Sequence, residues 1–536
     1  MPLSLEKKVA QMIVVRASGH LFDRLIRYPI WEPPAAKLQH WISNLGVGGV
    51  LLVDGSAADL TARIQQLQSW AKIPLLIAAD VEQGVGQRFD GATWFPPPMA
   101  IATLSQTNPA LAEGYAEKMG AITAKEAVAI GLNWVLAPVV DVNNNPDNPV
   151  INVRAFGETP ATVSRLASAF IRGAQQFRVL TTAKHFPGHG DTAVDSHVEL
   201  PVLPHSESRL NEIELPPFVE AIAAGVDSVM SAHLSIPAWD ADRPATLSPE
   251  ILTRRLRENM GFGGLIVTDA LVMGAIARRY GIEESAVLAL EAGADILLMP
   301  LDAEVVIKAV CAAVAAGRIS EKRIDESLQR IGEAKTKVFP GWQLDGDLPQ
   351  EISPTPSYYL CEQLERPEAR DAAAEILRHS LRSGGSLPLG PSEGKSRNLI
   401  LVDDLLNCRF LGHHRPAIAI PNQLGYQLQI IDSNSPSFGA GNLSEDFSTT
   451  LLQLFIRGNA FRQLSTTINA ARQLLKRLLR NSELCALVIY GSPYTLELFV
   501  SDLPSGLPYV FSYGQMAEAQ AIALEVLFGG DGKKED

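Results

Sequence analysis

The feature that most constrains the fold of this chain is a series of eight short apolar segments, rich in β-branched residues, in its first 300 residues. They cover residues 9–17, 47–55, 74–82, 133–142, 179–190, 225–234, 263–271 and 293–300. Amphipathic segments of helical length separate most of them. Apolar strands that alternate with helices indicate a parallel sheet buried on both faces. We therefore predict an α/β fold and favour a TIM-like (β/α)8 barrel, with an open doubly wound sheet as the alternative.

A break in composition follows this region. Residues 339–357 contain four prolines and two glycines among acidic residues, which is typical of an interdomain linker. Strand-like runs resume beyond it, at 398–404, 416–421, 426–432, 485–491 and 508–514, with helical stretches at 361–382, 446–480 and 515–527. We predict a barrel over 1–338, a linker over 339–357, and a smaller α/β sandwich-like domain over 358–536.

Charge and cysteine content limit the classes of partner. The formal net charge of −13 disfavours phosphate backbones and anionic lipids, so neither nucleic acid nor a membrane surface is expected. The four cysteines are widely spaced and form no CxxC pair, so neither a thiolate zinc site nor a disulfide framework is indicated. The first residues show no secretion signal, and no apolar run reaches the roughly 18 residues of a membrane span. We expect a cytoplasmic protein that requires no metal and no cofactor; the sequence does not indicate its oligomeric state.

Polar residues are concentrated where the predicted strands end. They are Asp80, Glu82, Arg88, Asp141, Arg154, Lys184, His185, His189, Asp195, His197, His233 and Asp269. In a barrel, the loops after the carboxyl ends of the strands build the active face. This placement favours an enzyme.

The densest cluster is KHFPGHGDTAVDSHVELP, which spans residues 184–201. Asp195 and His197 lie two residues apart, so in an extended loop the carboxylate can orient the imidazole as a general acid and base. A solvated surface pair is the alternative for an isolated D-x-H. The histidines and aspartates of this loop are also plausible metal ligands, but Pro187 and Gly188 interrupt the helix that usually presents an H-x3-H pair.

Other strand-end residues have two interpretations each. Asp269 closes the run GGLIVTDAL and is either a rigidly held nucleophile or the N-cap of the next helix. Asp80 and Arg88 could bind sugar hydroxyls together, or form a structural ion pair. Arg154 and Lys184 would by themselves be read as surface ion pairs.

These residues resemble family 3 of the glycoside hydrolases, in its β-N-acetylhexosaminidase branch. The resemblance runs from about residue 4 to 335 and rests on KHFPGHG with DSH, the block NWVLAPVVDVNNNPDNPVINVRAFG, and GFGGLIVTDALVMGAI. It implies a TIM-like barrel. It also implies that Asp269 is the nucleophile, that His197 is the acid/base supported by Asp195, and that the sugar is bound by the following residues: Asp80, Arg88, Arg154, Lys184 and His185.

The segment DVEQGVGQR departs from the family pattern, with Gln83 in place of a glycine and Gly86 in place of a valine. The resemblance implies a retaining exo-β-N-acetylglucosaminidase that acts on a small carbohydrate or muropeptide-like substrate in peptidoglycan recycling. A β-glucosidase of the same family and a non-catalytic sugar-binding relative are the alternatives.

Overall fold

The computed structural model describes residues 3–193, 199–342, 362–390, 394–406, 408–432, 434–435, 447–456 and 464–529. The chain divides into two compact units. One consists of Met1–Pro98 with Ser105–Arg370, and the other of Met99–Leu104 with Asp371–Asp536. Among the described residues, none of the helices has both the length and the apolar character needed to cross a bilayer.

Each of the eight apolar segments of the first unit contains a strand, as predicted. The strands are β1 (Ile13–Ser18), β2 (Gly49–Val53), β3 (Leu76–Ala79), β4 (Trp134–Val135), β5 (Thr182–Phe186), β6 (Ser228–Ser231), β7 (Leu265–Thr268) and β8 (Leu297–Leu298). They form a five-stranded sheet in the order β4-β3-β2-β1-β8 and a three-stranded sheet in the order β5-β6-β7. All pairs within these sheets are parallel. The first unit is thus an α/β fold on a parallel-sheet half-barrel.

Hydrogen bonds also join the edges of the two sheets. Between β4 and β5, Val135 N donates to Leu180 O at 2.8 Å, and Thr182 N donates to Ala137 O at 2.8 Å. Between β7 and β8, Thr268 N donates to Ile296 O at 3.0 Å.

The helices of the first unit alternate with the strands. They are α1 (Leu5–Gln11), α2 (Ala35–Gln39), α3 (Ala57–Trp70), α4 (Pro98–Leu104), α5 (Pro109–Ala129), α6 (Pro160–Ala174), α7 (Glu207–Glu212), α8 (Pro216–Ala223), α9 (Gly274–Ala292), α10 (Ala303–Ala315) and α11 (Glu321–Val338), with a π-helix at Glu250–Asn259. Helix α4 belongs to the second unit except for its first residue, Pro98. Local sequence fixes several starts: Asn108 accepts a hydrogen bond from Leu111 N, and Pro109 occupies the first helical turn.

The second unit contains a six-stranded sheet. Its strands are β9 (Arg382–Gly384), β10 (Ser396–Val402), β11 (Gln427–Ile431), β12 (Thr449–Ile456), β13 (Leu484–Gly491) and β14 (Tyr509–Ser512), in the order β11-β10-β12-β13-β14-β9. All neighbours are parallel except the edge strand β9. The helices are α12 (Pro367–Ser380), α13 (Pro416–Gln423), α14 (Leu464–Arg480), α15 (Pro493–Val500) and α16 (Ala517–Phe528).

Two predictions for the second unit are wrong. Residues 416–421 form the start of α13 and not a strand, because Pro416 with its fixed φ begins a helix and the run is too short for its period to decide. The predicted helix over 446–480 is a strand over its first part, Thr449–Ile456, where all residues but the first are buried. A run that is buried on both faces carries no alternation that could reveal it as a strand.

Candidate active site

The candidate site lies at the carboxyl ends of the strands of the first unit. Asp80 directly follows β3, Lys184 and His185 lie within β5, and Asp269 directly follows β7. Arg154 ends a 3₁₀ turn in the segment after β4. Short buried strands hold these side chains on a rigid scaffold, which is what a site that must position a substrate needs.

Glu82 organises the cations of the site. Its carboxylate accepts hydrogen bonds from Arg154 Nε at 2.9 Å and Arg154 Nη2 at 2.8 Å, and Lys184 Nζ lies 2.6 Å from Oε1. Lys184 Nζ also donates to Asp80 Oδ1 at 2.7 Å. Two carboxylates and two cations thus form one continuous network.

The network is mostly withdrawn from solvent. The side chains of Lys184 and Glu82 are 2% and 5% exposed, whereas those of Arg154 and Asp80 are 23% and 30% exposed. A buried core of charge therefore supports two charged groups that a ligand can reach. The sequence-based alternative of surface ion pairs for Lys184 is wrong, because its side chain is buried.

Electrostatics keep Glu82, Lys184 and Arg154 charged. Burial by itself would raise the pKa of Glu82, but the adjacent charges of Arg154 and Lys184 hold that pKa well below its ordinary value. Burial would lower the pKa of Lys184, but Asp80 and Glu82 raise it above its ordinary value. The pKa of Arg154 is likewise raised, because Glu82 outweighs the effect of burial. These directions are those of mutually stabilising ions.

Arg88 contacts Asp80 through the backbone. Arg88 Nε donates to Asp80 O at 3.1 Å. The alternative of a structural ion pair between the two side chains is not seen, since Asp80 directs its carboxylate to Lys184. Both remain candidate sugar ligands by their position.

Asp141, which follows β4, orients His185 in β5 and holds the backbone of His189 in the loop after β5. Its Oδ2 lies 2.8 Å from His185 Nδ1, and its Oδ1 accepts from the backbone nitrogens of His185 at 3.1 Å and His189 at 2.7 Å. Asp141 is fully buried. Because Nδ1 of His185 is used by Asp141, any contact of this ring with a substrate is through Nε2.

His189 is packed inside the site rather than presented to solvent. It is 1% exposed, and its Nδ1 lies 2.8 Å from Thr192 Oγ1. Burial lowers the pKa of His189 to about 4, against the opposing effects of Asp141 and Asp269. Backbone hydrogen bonds place the end of β7 and the end of β5 on one edge of the same sheet: Asp269 N donates to Ser231 O at 3.2 Å, and Ala232 N donates to Phe186 O at 2.7 Å. Among the described residues, no three His, Cys, Asp or Glu side chains are grouped so as to hold a metal ion.

Asp269 is not a helix cap. Its Oδ1 accepts from Ala270 N at 2.7 Å, whereas α9 begins at Gly274 with Met273 as its N-cap. The capping interpretation is therefore wrong. The adjacent backbone is fixed by the fully buried His233, whose Nε2 lies 3.1 Å from Ala270 O.

The predicted acid/base pair, Asp195 and His197, lies outside the described residues. The chain leading to it is closely packed: a Cβ on Gly190 would lie 1.7 Å from Val142 O, so no larger residue fits there. The path of this loop is thus fixed up to position 190 by contact with the segment after β4.

The altered loop after β3 accommodates both of its unusual residues. Gln83 is buried, and its Oε1 accepts from Trp94 Nε1 at 3.3 Å. At Gly86 a Cβ would lie 2.2 Å from Ala92 O, so this loop has no room for the valine of the family pattern. The loop thus has its own internal packing.

Comparison with known proteins identifies the family. The model of the glycosyl hydrolase family 3 N-terminal domain matches residues 4–334, and that of the bacterial glycosyl hydrolase family 3 C-terminal domain matches residues 391–529. The chain belongs to glycoside hydrolase family 3. The family predicted from the sequence is thereby confirmed.

Relatives in this family carry related names. Over 337 residues the chain is 36% identical to "Beta-hexosaminidase A" of Pseudoalteromonas piscicida, covering 57% of this chain and 56% of that protein. Over 374 residues it is 32% identical to "Beta-N-acetylglucosaminidase/beta-glucosidase" of Cellulomonas fimi, covering 68% and 64%. The matches thus span less than two thirds of these relatives' length. The solved structure of a family 3 beta-N-acetylglucosaminidase from Paenibacillus sp. str. FPU-7 is similar, with a TM-score of 0.79, 30% identity, and coverage of 98% of this chain and 97% of that one.

Sequence reasoning missed the roles of two residues of the site. Glu82 and Asp141 are recognisable as strand-end residues, but the sequence assigns them no partner. The structure makes Glu82 the shared partner of Arg154 and Lys184, and Asp141 the partner of His185. The available signal was their place after apolar strands, where an unpaired carboxylate would be costly and must find a cation or a donor.

Proposed function

We propose that this protein is a retaining exo-glycosidase that removes terminal β-linked N-acetylglucosamine. The observation that carries the proposal is the charged network of Asp80, Glu82, Arg154 and Lys184 at the ends of β3 to β5, with Asp269 at the carboxyl end of β7, two strands from β5 in the same sheet. Such a network offers carboxylate acceptors and cationic donors to sugar hydroxyls. The choice of N-acetylglucosamine as the sugar rests on the names of the relatives.

The proposed mechanism has two steps. In the first, an Asp269 carboxylate oxygen attacks the anomeric carbon, the bond to the leaving oxygen breaks, and His197 gives its proton to that oxygen. In the second, His197 takes a proton from water, the water oxygen attacks the anomeric carbon, and the bond to Asp269 breaks. Asp195 orients His197 throughout. A histidine acid, unlike a carboxylic acid, adds no second negative charge beside Asp269.

The remaining candidate residues bind the sugar in this proposal. Asp80 and Arg154 are the exposed ends of the charged network, and Lys184 is held between Asp80 and Glu82. His185 contributes Nε2, and Arg88 approaches from the loop after β3. Fixed partners of opposite charge reduce the entropy that these side chains lose on binding.

The first experiment compares hydrolysis of nitrophenyl N-acetylglucosaminide and nitrophenyl glucoside. We expect the N-acetyl substrate to have the higher kcat/KM. Preference for the glucoside would favour the β-glucosidase alternative, which the double name of the Cellulomonas fimi relative makes specific. Sugar binding without turnover of either substrate would favour a non-catalytic relative.

The second experiment tests the roles of Asp269 and His197. A fluorinated sugar should label the wild-type protein covalently but not Asp269→Ala, and labelling of the variant would contradict the nucleophile. His197→Ala should slow substrates with poor leaving groups far more than those with good ones. Equal losses for both would remove the acid role.

We further infer that the two sheets of the first unit are arcs of one (β/α)8 barrel. The hydrogen bonds from β4 to β5 and from β7 to β8 support closure. The predicted division into 1–338, 339–357 and 358–536 is likewise our proposal, although residues 343–357 lie outside the described residues. A cytoplasmic location, a muropeptide-like substrate and a role in peptidoglycan recycling remain predictions from the sequence.

A further inference from the structure

His233 lies at the centre of the sheet edge that carries the end of β5 and Asp269. It follows β6 by two residues and is fully buried. The residues just before it bond to both neighbouring strands, since Ala232 N donates to Phe186 O and Ser231 O accepts from Asp269 N. The segment after β6 therefore joins the end of β5 to the proposed nucleophile.

Both nitrogens of the His233 ring face a fixed partner. Nε2 lies 3.1 Å from Ala270 O, and Nδ1 lies 2.8 Å from Thr246 Oγ1. A carbonyl oxygen can only accept, so Nε2 carries a proton and donates it to Ala270 O. The ring is thus held at both ends, with its Nε2–H directed at Ala270.

Thr246 is itself held in place. It lies in the buried turn Ala245–Leu247, where its Oγ1 is 2.9 Å from Ala232 O and accepts a hydrogen bond from Ser231 Oγ at 3.0 Å. The side chains of Ser231, Thr246 and His233 are all fully buried. Buried polar groups that satisfy one another in this way make their surroundings rigid.

Ala270 connects His233 to Asp269. The Ala270 N–H donates to Asp269 Oδ1 at 2.7 Å, and the Ala270 carbonyl accepts from His233 and from Met273 N, the latter at 3.0 Å. Because two donors hold the carbonyl, the N–H of the same residue has a fixed direction. This N–H in turn fixes the position of one carboxylate oxygen of Asp269.

Ala270 lies in a stretch without regular secondary structure. β7 ends at Thr268, and α9 begins only at Gly274. Strand and helix hydrogen bonds therefore do not set the direction of the Ala270 N–H. Its direction depends instead on contacts such as the one from the His233 ring.

We propose that His233 is a positioning residue for the nucleophile: through Ala270, it holds the Asp269 carboxylate in the direction from which it attacks the anomeric carbon. The inference rests on the proposed glycosidase function and adds to it a residue that acts through another. A displacement of a reacting group by about 1 Å can cost about a hundredfold in rate. A small change in the direction of this carboxylate should therefore lower the rate of attack even where the fold is kept.

The test separates the attack by Asp269 from the acid step. The full chain reacts with 5-fluoro-N-acetylglucosaminyl fluoride: an Asp269 oxygen bonds to the anomeric carbon, and fluoride leaves with its electron pair, without a proton from His197. Intact-mass measurement gives the rate of labelling and the final labelled fraction. A lower rate with a full final fraction reports a misplaced nucleophile, whereas a lower final fraction reports damaged or unfolded protein.

Two amides at position 233 form a matched pair. His233→Gln places its amide nitrogen near the site of Nε2 and can still donate to Ala270 O, whereas the shorter side chain of His233→Asn reaches only the site of Nδ1. We expect His233→Asn to label about a hundredfold more slowly than wild type, with the same final fraction. His233→Gln should recover most of this loss.

Thr246→Val tests the other end of the ring, and it decides the question if the variants at position 233 do not fold. It should slow labelling by about tenfold, which corresponds to one hydrogen bond, with a full final fraction. Thr253→Val is the matched control, because Thr253 Oγ1 donates to Ala292 O at 2.8 Å before β8, at the opposite ends of the strands. This control should label at the wild-type rate.

The outcomes separate this inference from the function on which it rests. Wild-type labelling rates in His233→Asn or in Thr246→Val would overturn it, and so would equal losses in His233→Asn and His233→Gln. A loss in the final fraction and not in the rate would show that His233 only stabilises the fold, which also overturns it. Failure of the wild-type protein to label or to turn over any N-acetylglucosaminide would overturn the proposed function, and the role of His233 with it.

Discussion

Replacing Glu82 with glutamine tests whether the charged network supports both stability and catalysis. Glu82 is 5% exposed and forms ion pairs with both Arg154 and Lys184. Removal of one member of a buried ion pair typically costs about 3–5 kcal/mol, because the partner charge is left buried. Glutamine keeps one acceptor oxygen and Asp80 still faces Lys184, so we expect a loss of about 3 kcal/mol in the free energy of unfolding at pH 7.

The assay is urea unfolding of the full chain followed by tryptophan fluorescence. All seven tryptophans lie at or before position 342, so the signal reports on the first unit. Asp295→Asn is the matched control. Asp295 is fully buried and binds Arg257 at 2.6 Å and Arg330 at 3.0 Å, but it precedes β8 and so lies at the opposite ends of the strands. Both variants should lose stability, whereas only Glu82→Gln should lose activity, by about a hundredfold in kcat/KM.

The stability difference between wild type and Glu82→Gln should depend on pH. Because the folded protein holds the pKa of Glu82 well below 4.5, the ion's contribution is present above pH 4.5 and is lost as the pH falls through the lower folded value. The difference between wild type and Glu82→Gln should therefore shrink below pH 4.5. A variant within about 0.5 kcal/mol of wild type at pH 7, which is the range of a neutral surface change, would refute the reasoning.

Three further predictions use the same unfolding assay. Burial lowers the pKa of His189 to about 4, so between pH 7 and 4.5 the unfolded chain binds a proton at this residue that the folded chain largely does not bind. Acidification over this range should therefore cost wild type about 2 kcal/mol of stability that His189→Gln does not lose. An equal loss in both proteins would contradict this prediction. Lys335 Nζ is buried and donates to Gln11 Oε1 at 2.7 Å, and burial lowers the pKa of Lys335 to about 7. The free energy of unfolding should therefore rise from pH 7 to 10 in wild type and not in Lys335→Met. Gly190→Ala should lower the unfolding midpoint markedly because its Cβ meets Val142 O at 1.7 Å, whereas Gly263→Ala, with open space around it, should not.

How far the sequence predicts this protein depends on the kind of residue. The eight strands of the first unit are predictable because uniformly apolar runs that alternate with helices are typical of a parallel sheet buried on both faces. Residues 416–421 are assigned wrongly because a short apolar run between prolines fits a strand and a first helical turn equally well. Asp269 is ambiguous for a similar reason: a carboxylate before an apolar stretch is a cap only if the helix begins within a residue or two, and here it begins at Gly274.

Partner choice within the site could not be predicted at all. The sequence suggested Arg88, which is close along the chain, as a possible ion-pair partner of Asp80, but Asp80 binds Lys184, which is 104 positions away. Glu82 likewise finds Arg154 at a separation of 72. Parallel strands bring distant segments together at one edge, so only the strand order decides which charges meet.

We expect the sum of those charges to select the acceptor in the second step of the proposed reaction. Among the described site residues, Arg88, Arg154 and Lys184 carry positive charge, whereas Asp80, Glu82, Asp141 and Asp269 carry negative charge. Glu82 and Asp141 are committed to cations and to backbone donors, so the cluster offers no surplus positive charge to an anion. Water should therefore outcompete inorganic phosphate, which needs unpaired donors of positive charge. Release of N-acetylglucosamine should be unaffected by millimolar phosphate, and formation of N-acetylglucosamine 1-phosphate as the main product would show that charges outside this cluster control the acceptor.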